Sequence, residues 1–93
     1  MIQSFKDKNS EKIFDGKRPR NFPDNLLRRT YRKLVMLDNA KAECDLMVFP
    51  GNQYEKLEGD RKGQSSIRIN DQYRICFVWK NGDAYDVEIT DYH

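Results

Sequence analysis

The sequence is poor in the residues that build metal and nucleotide sites. It has one histidine and two cysteines among 93 residues. Cys44 and Cys76 lack the spacing of a metal-binding motif, and we expect both to be reduced thiols. GxGxxG, Walker, HExxH and CxxC patterns are all missing. The sequence therefore does not support a nucleotide-binding fold or a metal-dependent hydrolase, and we expect no cofactor and no metal.

Long apolar runs are missing as well. Hydrophobic residues make up 38% of the chain and charged residues 34%. No run is long enough for a membrane span or resembles the apolar core of a signal peptide. We therefore expect a cytoplasmic protein without membrane contact. The length of 93 residues predicts a single domain over residues 1–93, with a small core.

Charge is distributed unevenly along the chain. Residues 1–33 carry ten Lys or Arg against four Asp or Glu, whereas residues 34–93 carry seven against eleven. The two parts have net charges of +6 and −4, although the whole chain has only +2. The basic part could face nucleic acid or an acidic protein, and the alternative is a helix whose charges are simply solvated.

The first half of the chain has the signals of helices. Asp7 is a suitable N-cap for a short helix that continues to Asp15 and stops at Gly16. Pro23 followed by an aspartate predicts the start of a longer helix that runs to about Asn39. Its apolar residues recur at spacings of four, three and three, which is typical of a core-facing stripe formed by Leu27, Tyr31, Leu34 and Leu37.

Most of the strand-like alternation lies in the second half. Three apolar rows with a period of two predict antiparallel strands, and these rows are Ile67 and Ile69; Tyr73, Ile75, Phe77 and Trp79; and Tyr85, Val87 and Ile89. Shorter predicted elements are an opening strand Met1–Phe5, a helical turn Ala42–Leu46 and a strand Gln53–Leu57. Together they predict a compact α+β fold of two layers, in which an antiparallel sheet of about four to five strands is backed by two N-terminal helices.

Matching the apolar rows predicts how the strands pair. In the first hairpin a loop at Asn70–Gln72 pairs Ile67 with Ile75 and sets Arg68 opposite Arg74. This register keeps apolar residues on one face of the sheet and leaves the two arginines on the other.

The second hairpin has two possible loops. Asn81-Gly82 favours a two-residue loop. That loop would pair apolar with charged side chains on both faces, whereas a three-residue loop that includes Lys80 pairs Phe77 with Tyr85. We therefore predict the longer loop, which also pairs the isoleucine two residues before Phe77 with Val87.

Two arginines meet on the polar face of this predicted sheet. Arg68 lies opposite Arg74, and the same register brings Glu88 opposite Arg74 on its other side. Directly opposed like charges destabilise a sheet by up to about 1 kcal/mol. A phosphate would remove that repulsion, because the guanidinium fork matches phosphate oxygens. The alternative is a pair of solvated surface arginines that Glu88 partly neutralises.

Tyr92 and His93 follow the last predicted strand. A histidine in this position is commonly frayed, but the strong pattern before it could hold both residues at the end of the sheet. Alternation places Tyr92 on the face of Arg74 and Glu88. A phenol, an imidazole, carboxylates and guanidinium groups suit RNA cleavage through the 2′-hydroxyl, which needs a base, an acid and stabilisation of charge on phosphorus.

A set of motifs in a fixed order covers nearly the whole chain. The motifs are Leu57–Gly63, Ser66–Phe77, Gly82–Ile89 and Asp91–His93, preceded by Met1–Phe5 and Lys33–Asp38. In this order they resemble the HigB toxins of the RelE-like superfamily, including the GraT type. The resemblance implies a compact α+β fold and a ribosome-dependent endoribonuclease that cuts mRNA in the ribosomal A site without a metal. It also implies a helix-turn-helix antitoxin of the HigA kind, which neutralises the toxin and carries the complex to operator DNA.

The resemblance also assigns roles to individual residues. It implies that Arg74 stabilises the scissile phosphate, that Arg68 contacts it as well, and that the terminal residues take part in catalysis. The expected catalytic residues are Arg74, Arg68, Asp91, Tyr92 and His93. The expected RNA-binding residues are Arg61 and Lys62 in the loop before the hairpins, Lys56, and Arg28 and Arg32 on the long helix.

Three residues depart from the family pattern. Glu58 stands where several relatives carry lysine, and Glu55 replaces a histidine found in some members. Ser65 stands where many members have Trp or Tyr, whose stacking on a base is worth about 1–3 kcal/mol. These changes leave open a second function, in which an attenuated toxin acts mainly as an antitoxin-binding partner in operon repression.

Overall fold

A computed structural model of the chain describes residues 1–91. Its helices are α1 Lys8–Phe14, α2 Asp24–Asn39 and α3 Glu43–Met47, and its strands are β1 Glu55–Lys56, β2 Ser65–Arg68, β3 Tyr73–Lys80 and β4 Asp83–Asp91. The strands form one antiparallel sheet in the order β1-β2-β3-β4. This arrangement confirms the predicted α+β fold. Within residues 1–91, no helix is long and apolar enough to cross a membrane.

The helices begin and end close to the predicted positions. The Asp7 carboxylate accepts a hydrogen bond from the Ser10 backbone at 3.2 Å, and Gly16 follows α1 with φ +83°. On α2 the fully buried side chains are Leu26, Thr30, Leu34 and Leu37. The prediction that Tyr31 belongs to the core stripe is wrong, because Tyr31 lies beyond the edge of this buried face and is 43% exposed.

The first hairpin has the predicted register. Ile67 pairs with Ile75, and Arg68 pairs with Arg74. The Ile69 backbone donates to the Tyr73 carbonyl at 3.0 Å, which closes the loop between β2 and β3. The two arginines therefore lie side by side on one face of the sheet, as the alternation predicted.

The second hairpin does not have the predicted loop. Lys80 pairs with Asp83, so the loop contains only Asn81 and Gly82, whose φ angles are +53° and +84°. Two left-handed residues are the geometry of a type I′ turn, which matches the right-handed twist of the flanking strands. Turn chemistry therefore decided the loop length, and the apolar matching that favoured three residues was misleading.

A β-bulge in β4 restores the apolar face after this short turn. The pairing shifts by one residue around Phe77, and Asp86 takes a left-handed φ of +54°. Tyr85 pairs with Val78 on the polar side, whereas Ile89 pairs with Ile75 on the core side. The predicted pairing of Phe77 with Tyr85 is therefore wrong.

Two other predicted pairs in this hairpin are also wrong. Ile75 lies opposite Ile89 rather than Val87. Glu88 lies opposite Cys76, and Thr90 takes the place opposite Arg74 that was predicted for Glu88. The shorter loop moves the register of β4 by one residue, and the extra residue of the bulge moves every later residue by one more.

The core lies between the helices and one face of the sheet. Leu34 and Leu37 of α2 cluster with Ile67, Ile75 and Phe77 of the sheet, and all are fully buried. The predicted opening strand is reduced to two isolated parallel bridges, from residue 2 to residue 84 and from residue 5 to residue 87. The predicted strand over residues 53–57 is reduced to the two residues of β1. Arg68 and Arg74 lie on the face opposite this core.

Candidate functional site

Arg74 is fixed at the centre of the polar sheet face. Its Nε donates to Ser66 Oγ at 2.8 Å, and its Nη2 donates to the carbonyls of Gln53 at 2.5 Å and Ser66 at 3.4 Å. Ser66 is fully buried, so its hydroxyl is a rigid acceptor. The third nitrogen, Nη1, makes no hydrogen bond to residues 1–91. The guanidinium is therefore held in one orientation with one nitrogen available to an anion.

The Gln53 carbonyl reaches Arg74 because the backbone turns sharply before β1. A short 3-10 turn at Pro50–Asn52 is followed by Gln53 in a left-handed conformation, with φ +40° and ψ +54°. Asn52 is fully buried, and its Nδ2 donates to the Leu46 carbonyl at 2.9 Å. This buried amide anchors the turn that presents the carbonyl to Arg74.

Arg68 is held less tightly than Arg74. Its guanidinium pairs with Asp71, whose side chain is 98% exposed. An exposed ion pair of this kind contributes between about 0 and 1 kcal/mol. Arg68 can therefore exchange Asp71 for another anion at little cost.

Further cations gather where β2 ends beside α2. Arg29 Nη1 donates to the Ile69 carbonyl at 3.4 Å, and Lys33 Nζ donates to Asn52 Oδ1. Burial lowers the pKa of Lys33, and the charges of Arg29 and Arg68 lower it further. The three neighbouring cations form a positive region that favours an anion.

Arg61 is brought to the polar sheet face by Glu88. Arg61 Nη1 donates to Glu88 Oε1 at 2.6 Å and to Gln64 Oε1 at 3.1 Å. The Glu88 side chain is 16% exposed, so this ion pair is screened less than a surface pair. The sequence predicted Glu88 beside Arg74, but the shorter loop and the bulge in β4 move it away, and it pairs with Arg61 instead.

The other predicted RNA-binding residues form two separate groups. Lys56 and Lys62 line a cleft of about 280 Å³ near the start of the sheet, together with Glu58. Arg28 and Arg32 lie on the exposed face of α2. The structure thus brings Arg61, Arg68 and Arg74 to one sheet face and leaves the helix arginines apart from them.

The predicted catalytic tail is described only in part. Asp91 pairs with Tyr73 in the sheet, and its Oδ2 accepts from Gln72 Nε2 at 3.1 Å. Strand alternation directs Asp91 to the side of the sheet opposite Arg74. The predicted catalytic residues Tyr92 and His93 lie outside the described residues.

Tyr54 forms a polar network that sequence reasoning missed. Its hydroxyl lies 2.5 Å from Glu43 Oε2 and 2.9 Å from Ser65 Oγ. Burial and the Glu43 hydrogen bond raise the pKa of Tyr54 to about 12, although Ser65 opposes the change. Ser65, a departure from the family pattern, therefore bonds to the neighbouring tyrosine and is almost fully buried.

Ser66 and the Gln53 carbonyl were also missed. Strand alternation could have identified Ser66, because it shares the polar face with Arg68 and Arg74 and a hydroxyl is a natural partner for a guanidinium. No sequence signal marks the Gln53 carbonyl, since its direction depends on one left-handed residue.

Solved structures identify the class of fold. YafQ from Escherichia coli has a TM-score of 0.57 at 11% identity, with 98% of this chain and 93% of that chain covered. The YoeB–YefM toxin–antitoxin complex from Staphylococcus aureus has a TM-score of 0.58 at 17% identity, with 100% and 98% covered. The chain therefore has the RelE-like fold of these proteins.

Sequence comparison identifies the family. The model of the HigB-like toxins, described as RelE-like toxins of the type II toxin–antitoxin system HigB, matches residues 3–93. Toxin HigB-1 of Vibrio cholerae serotype O1 is 48% identical over 85 residues, with 90% of both chains covered. Endoribonuclease HigB of Proteus vulgaris is 33% identical over 95 residues, with both chains fully covered. This chain belongs to the HigB family of type II toxins.

Proposed function

We propose that this chain is an endoribonuclease that cuts mRNA on the translating ribosome and needs no metal ion. The observation that carries the proposal is the Arg74 guanidinium, which Ser66 and the Gln53 carbonyl hold in place beside Arg68 on the sheet face opposite the core. Membership of the HigB family and the name of the Proteus vulgaris relative support the RNase activity.

In the proposed reaction the RNA 2′-oxygen attacks the adjacent phosphorus. The bond from phosphorus to the 5′-oxygen breaks, which leaves a 2′,3′-cyclic phosphate and a 5′-hydroxyl. Arg74 stabilises the negative charge that develops on the phosphorane, since a preorganised donor acts most strongly in the transition state. Arg68 releases Asp71 and binds a second phosphate oxygen.

We assign the proton transfers to the terminal residues. Tyr92 assists removal of the 2′-hydroxyl proton and His93 aids transfer to the departing 5′-oxygen, whereas Asp91, on the other side of the sheet from Arg74, takes no part in proton transfer. Because these residues supply the base and the acid, and the arginines supply the charge stabilisation, the reaction has no step that needs a metal ion.

The remaining cations hold the RNA around this reaction centre. Arg61, Lys62 and Lys56 lie beside the sheet face and bind the mRNA backbone, and Arg28 and Arg32 face ribosomal RNA. These contacts to phosphate make binding weaker as the salt concentration rises.

The partner in the cell is a helix-turn-helix antitoxin of the HigA kind. Type II toxins act in pairs with an antitoxin, and the YoeB neighbour was solved in a complex with its YefM partner. Operator DNA is reached only through the antitoxin.

A second candidate is an attenuated toxin whose main role is antitoxin binding. The observation that favours it is the presence of carboxylates among the cations of the site. Asp71 forms an ion pair with Arg68, and Glu58 lines the same cleft as Lys56 and Lys62. Growth arrest on expression of the toxin alone, lost in Arg74→Ala, contradicts this candidate.

The test compares wild-type and Arg74→Ala chains in an mRNA cleavage assay, with and without translation. We expect cleavage only during translation, fragments with a 5′-hydroxyl, and a loss of about 10²- to 10³-fold in Arg74→Ala. Equal cutting by both chains would show that Arg74 takes no part in the mechanism. Cutting of free RNA would show that the activity does not depend on the ribosome.

A further inference from the structure

An apolar patch lies exposed beyond the end of α3. The consecutive residues Met47, Val48 and Phe49 are 49%, 69% and 49% exposed. Val48 and Phe49 line a groove of about 420 Å³, and Met36 of α2 forms part of its wall. We call Met36, Met47, Val48 and Phe49 the apolar patch. Contiguous exposed apolar residues of this kind mark an interaction site in a protein of this size.

A basic groove continues from the apolar patch along α2. Its walls include Arg28, Arg29, Arg32 and Lys33, and its volume is about 430 Å³. Met36 lines both grooves, and their α2 residues recur at spacings of three and four, so the two grooves adjoin along one side of α2; we call them together the channel. The channel follows α2 from about residue 25 to residue 39, which at 1.5 Å per residue is a length of about 21 Å.

We infer that this channel is the docking surface for an acidic amphipathic helix of the partner antitoxin. The inference rests on the proposed antitoxin partner but not on the proposed RNA cleavage. A helix of about 14 residues has the length of the channel. Its aliphatic or aromatic residues cover the apolar patch, and its carboxylates, spaced three or four residues apart, face the cations of the basic groove.

Charge and polarity together select this occupant. Ribosomal RNA would match Arg28 and Arg32 but would leave Val48 and Phe49 without an apolar partner, so the antitoxin and the ribosome would compete for these arginines while only the antitoxin covers the whole channel. A second copy of this chain would cover the apolar patch but would bring its own α2 arginines against these, and like charges across an interface are strongly unfavourable. An acidic amphipathic protein segment complements both halves of the channel.

The test measures binding of the full-length antitoxin from the adjoining reading frame to the toxin chain carrying Arg74→Ala, which permits expression. We expect Val48→Ser combined with Phe49→Ser to raise Kd at least about 30-fold, because these side chains lie at the centre of the apolar contact. We expect Arg32→Glu to raise Kd about tenfold and to weaken its salt dependence. Circular dichroism and thermal unfolding confirm that each variant is folded.

Two matched controls are available on the same molecule. Tyr31→Ser removes an exposed aromatic residue that does not line the channel, and Lys8→Glu reverses an exposed charge on α1. We expect both to leave Kd within twofold of the parent chain.

Three outcomes would overturn the inference. The first is an unchanged Kd in both channel variants. The second is a loss of ribosome-dependent cleavage in Val48→Ser with Phe49→Ser, made in the otherwise wild-type chain, while antitoxin affinity is retained, since the channel would then face the ribosome. The third is a wild-type dimer that these substitutions convert to a monomer. By contrast, a wild-type chain that fails to cut RNA but binds antitoxin through the channel would overturn only the proposed reaction.

Discussion

Arg74 and Arg61 on the sheet face differ from Arg28 and Arg32 on α2 in how they are held. Arg74 donates to the buried Ser66 and to the Gln53 carbonyl, and Arg61 donates to Gln64 and to Glu88, whose side chain is 16% exposed. Arg28 and Arg32 make no hydrogen bond or ion pair to residues 1–91, and both are exposed. One molecule thus carries fixed cations on one surface and adaptable cations on another.

This difference corresponds to two functions of a cation, which are catalysis and the binding of a partner. A reaction needs charge at a fixed point, because a donor that is already oriented requires no reorganisation when the transition state forms. A docking surface needs only enough positive charge nearby, and mobile side chains adjust to the partner. The sheet face therefore suits catalysis, and the exposed face of α2 suits binding.

Exchange of arginine for lysine should show the largest contrast between the two surfaces. In Arg74→Lys the charge remains, but the bonds to Ser66 and to the Gln53 carbonyl are lost together. We expect translation-dependent cleavage to fall about 100-fold. Arg32→Lys keeps a mobile charge on α2, and we expect cleavage within twofold of wild type. Similar losses in both variants would show that the two surfaces do not differ in this way.

Removal of the Ser66 hydroxyl should have a smaller effect on the same surface. Ser66→Ala leaves Arg74 Nε without its acceptor, so we expect kcat to fall about tenfold with KM unchanged, because the guanidinium loses its orientation. In an Arg74→Ala background the substitution should cause no further loss of cleavage. A further loss there would assign Ser66 a role independent of Arg74.

Thr30→Val is the matched control for Ser66→Ala. Thr30 Oγ1 is buried and has no hydrogen-bond partner within residues 1–91. Its removal should leave cleavage unchanged and keep or raise the free energy of unfolding, whereas Ser66→Ala should lower it by about 1 kcal/mol. Thermal unfolding measured on both variants separates stability from positioning.

Tyr54→Phe should have the smallest effect on cleavage among the residues with hydrogen-bond partners, because Tyr54 belongs to neither surface. It joins Glu43 of α3 to Ser65 of β2, and its loss should cost about 1–2 kcal/mol of unfolding free energy at neutral pH. The folded-state pKa of about 12 lies above the usual 10.0, so the stabilisation is fully present below pH 10 and is lost as the pH rises through 12.

Absorbance titration of the tyrosines tests the pKa of Tyr54 directly. Tyr54 should ionise near pH 12, and that phase should disappear in Tyr54→Phe. A titration curve that the substitution leaves unchanged would contradict the network.

Sequence patterns predicted the helices and the first hairpin well. The N-cap at Asp7 and the span of α2 follow from local chemistry, and the pairing of Arg68 with Arg74 follows from apolar matching across a short loop. The second hairpin could not be predicted this way, because apolar matching assumes uninterrupted alternation. The left-handed Asp86 breaks that alternation, and the Asn81-Gly82 turn signal alone indicated the correct loop.

The candidate site was predicted in its cations but not in their partners. Arg68 and Arg74 lie side by side on one face, as the alternation predicted, whereas the contact that brings Arg61 to Glu88 on the same face was not predicted. The acceptors that orient Arg74 depend on three-dimensional details, namely the direction of one carbonyl and the burial of one hydroxyl. Such partners come from distant or differently folded segments, so periodicity does not reveal them.

The extra residue in β4 makes one position in this strand unlike its neighbours. If Asp86 were removed, Val87 and Ile89 would still point inward in regular alternation from Ala84, whereas removal of Glu88 would turn Ile89 out to solvent. Asp86 also donates its backbone N–H to Ser4 Oγ at 2.9 Å, so this spacer ties the first residues of the chain to the strand. Insertions and deletions among relatives should therefore accumulate at Asp86. A strand shortened there keeps its apolar alternation and loses the Asp86 hydrogen bond to Ser4.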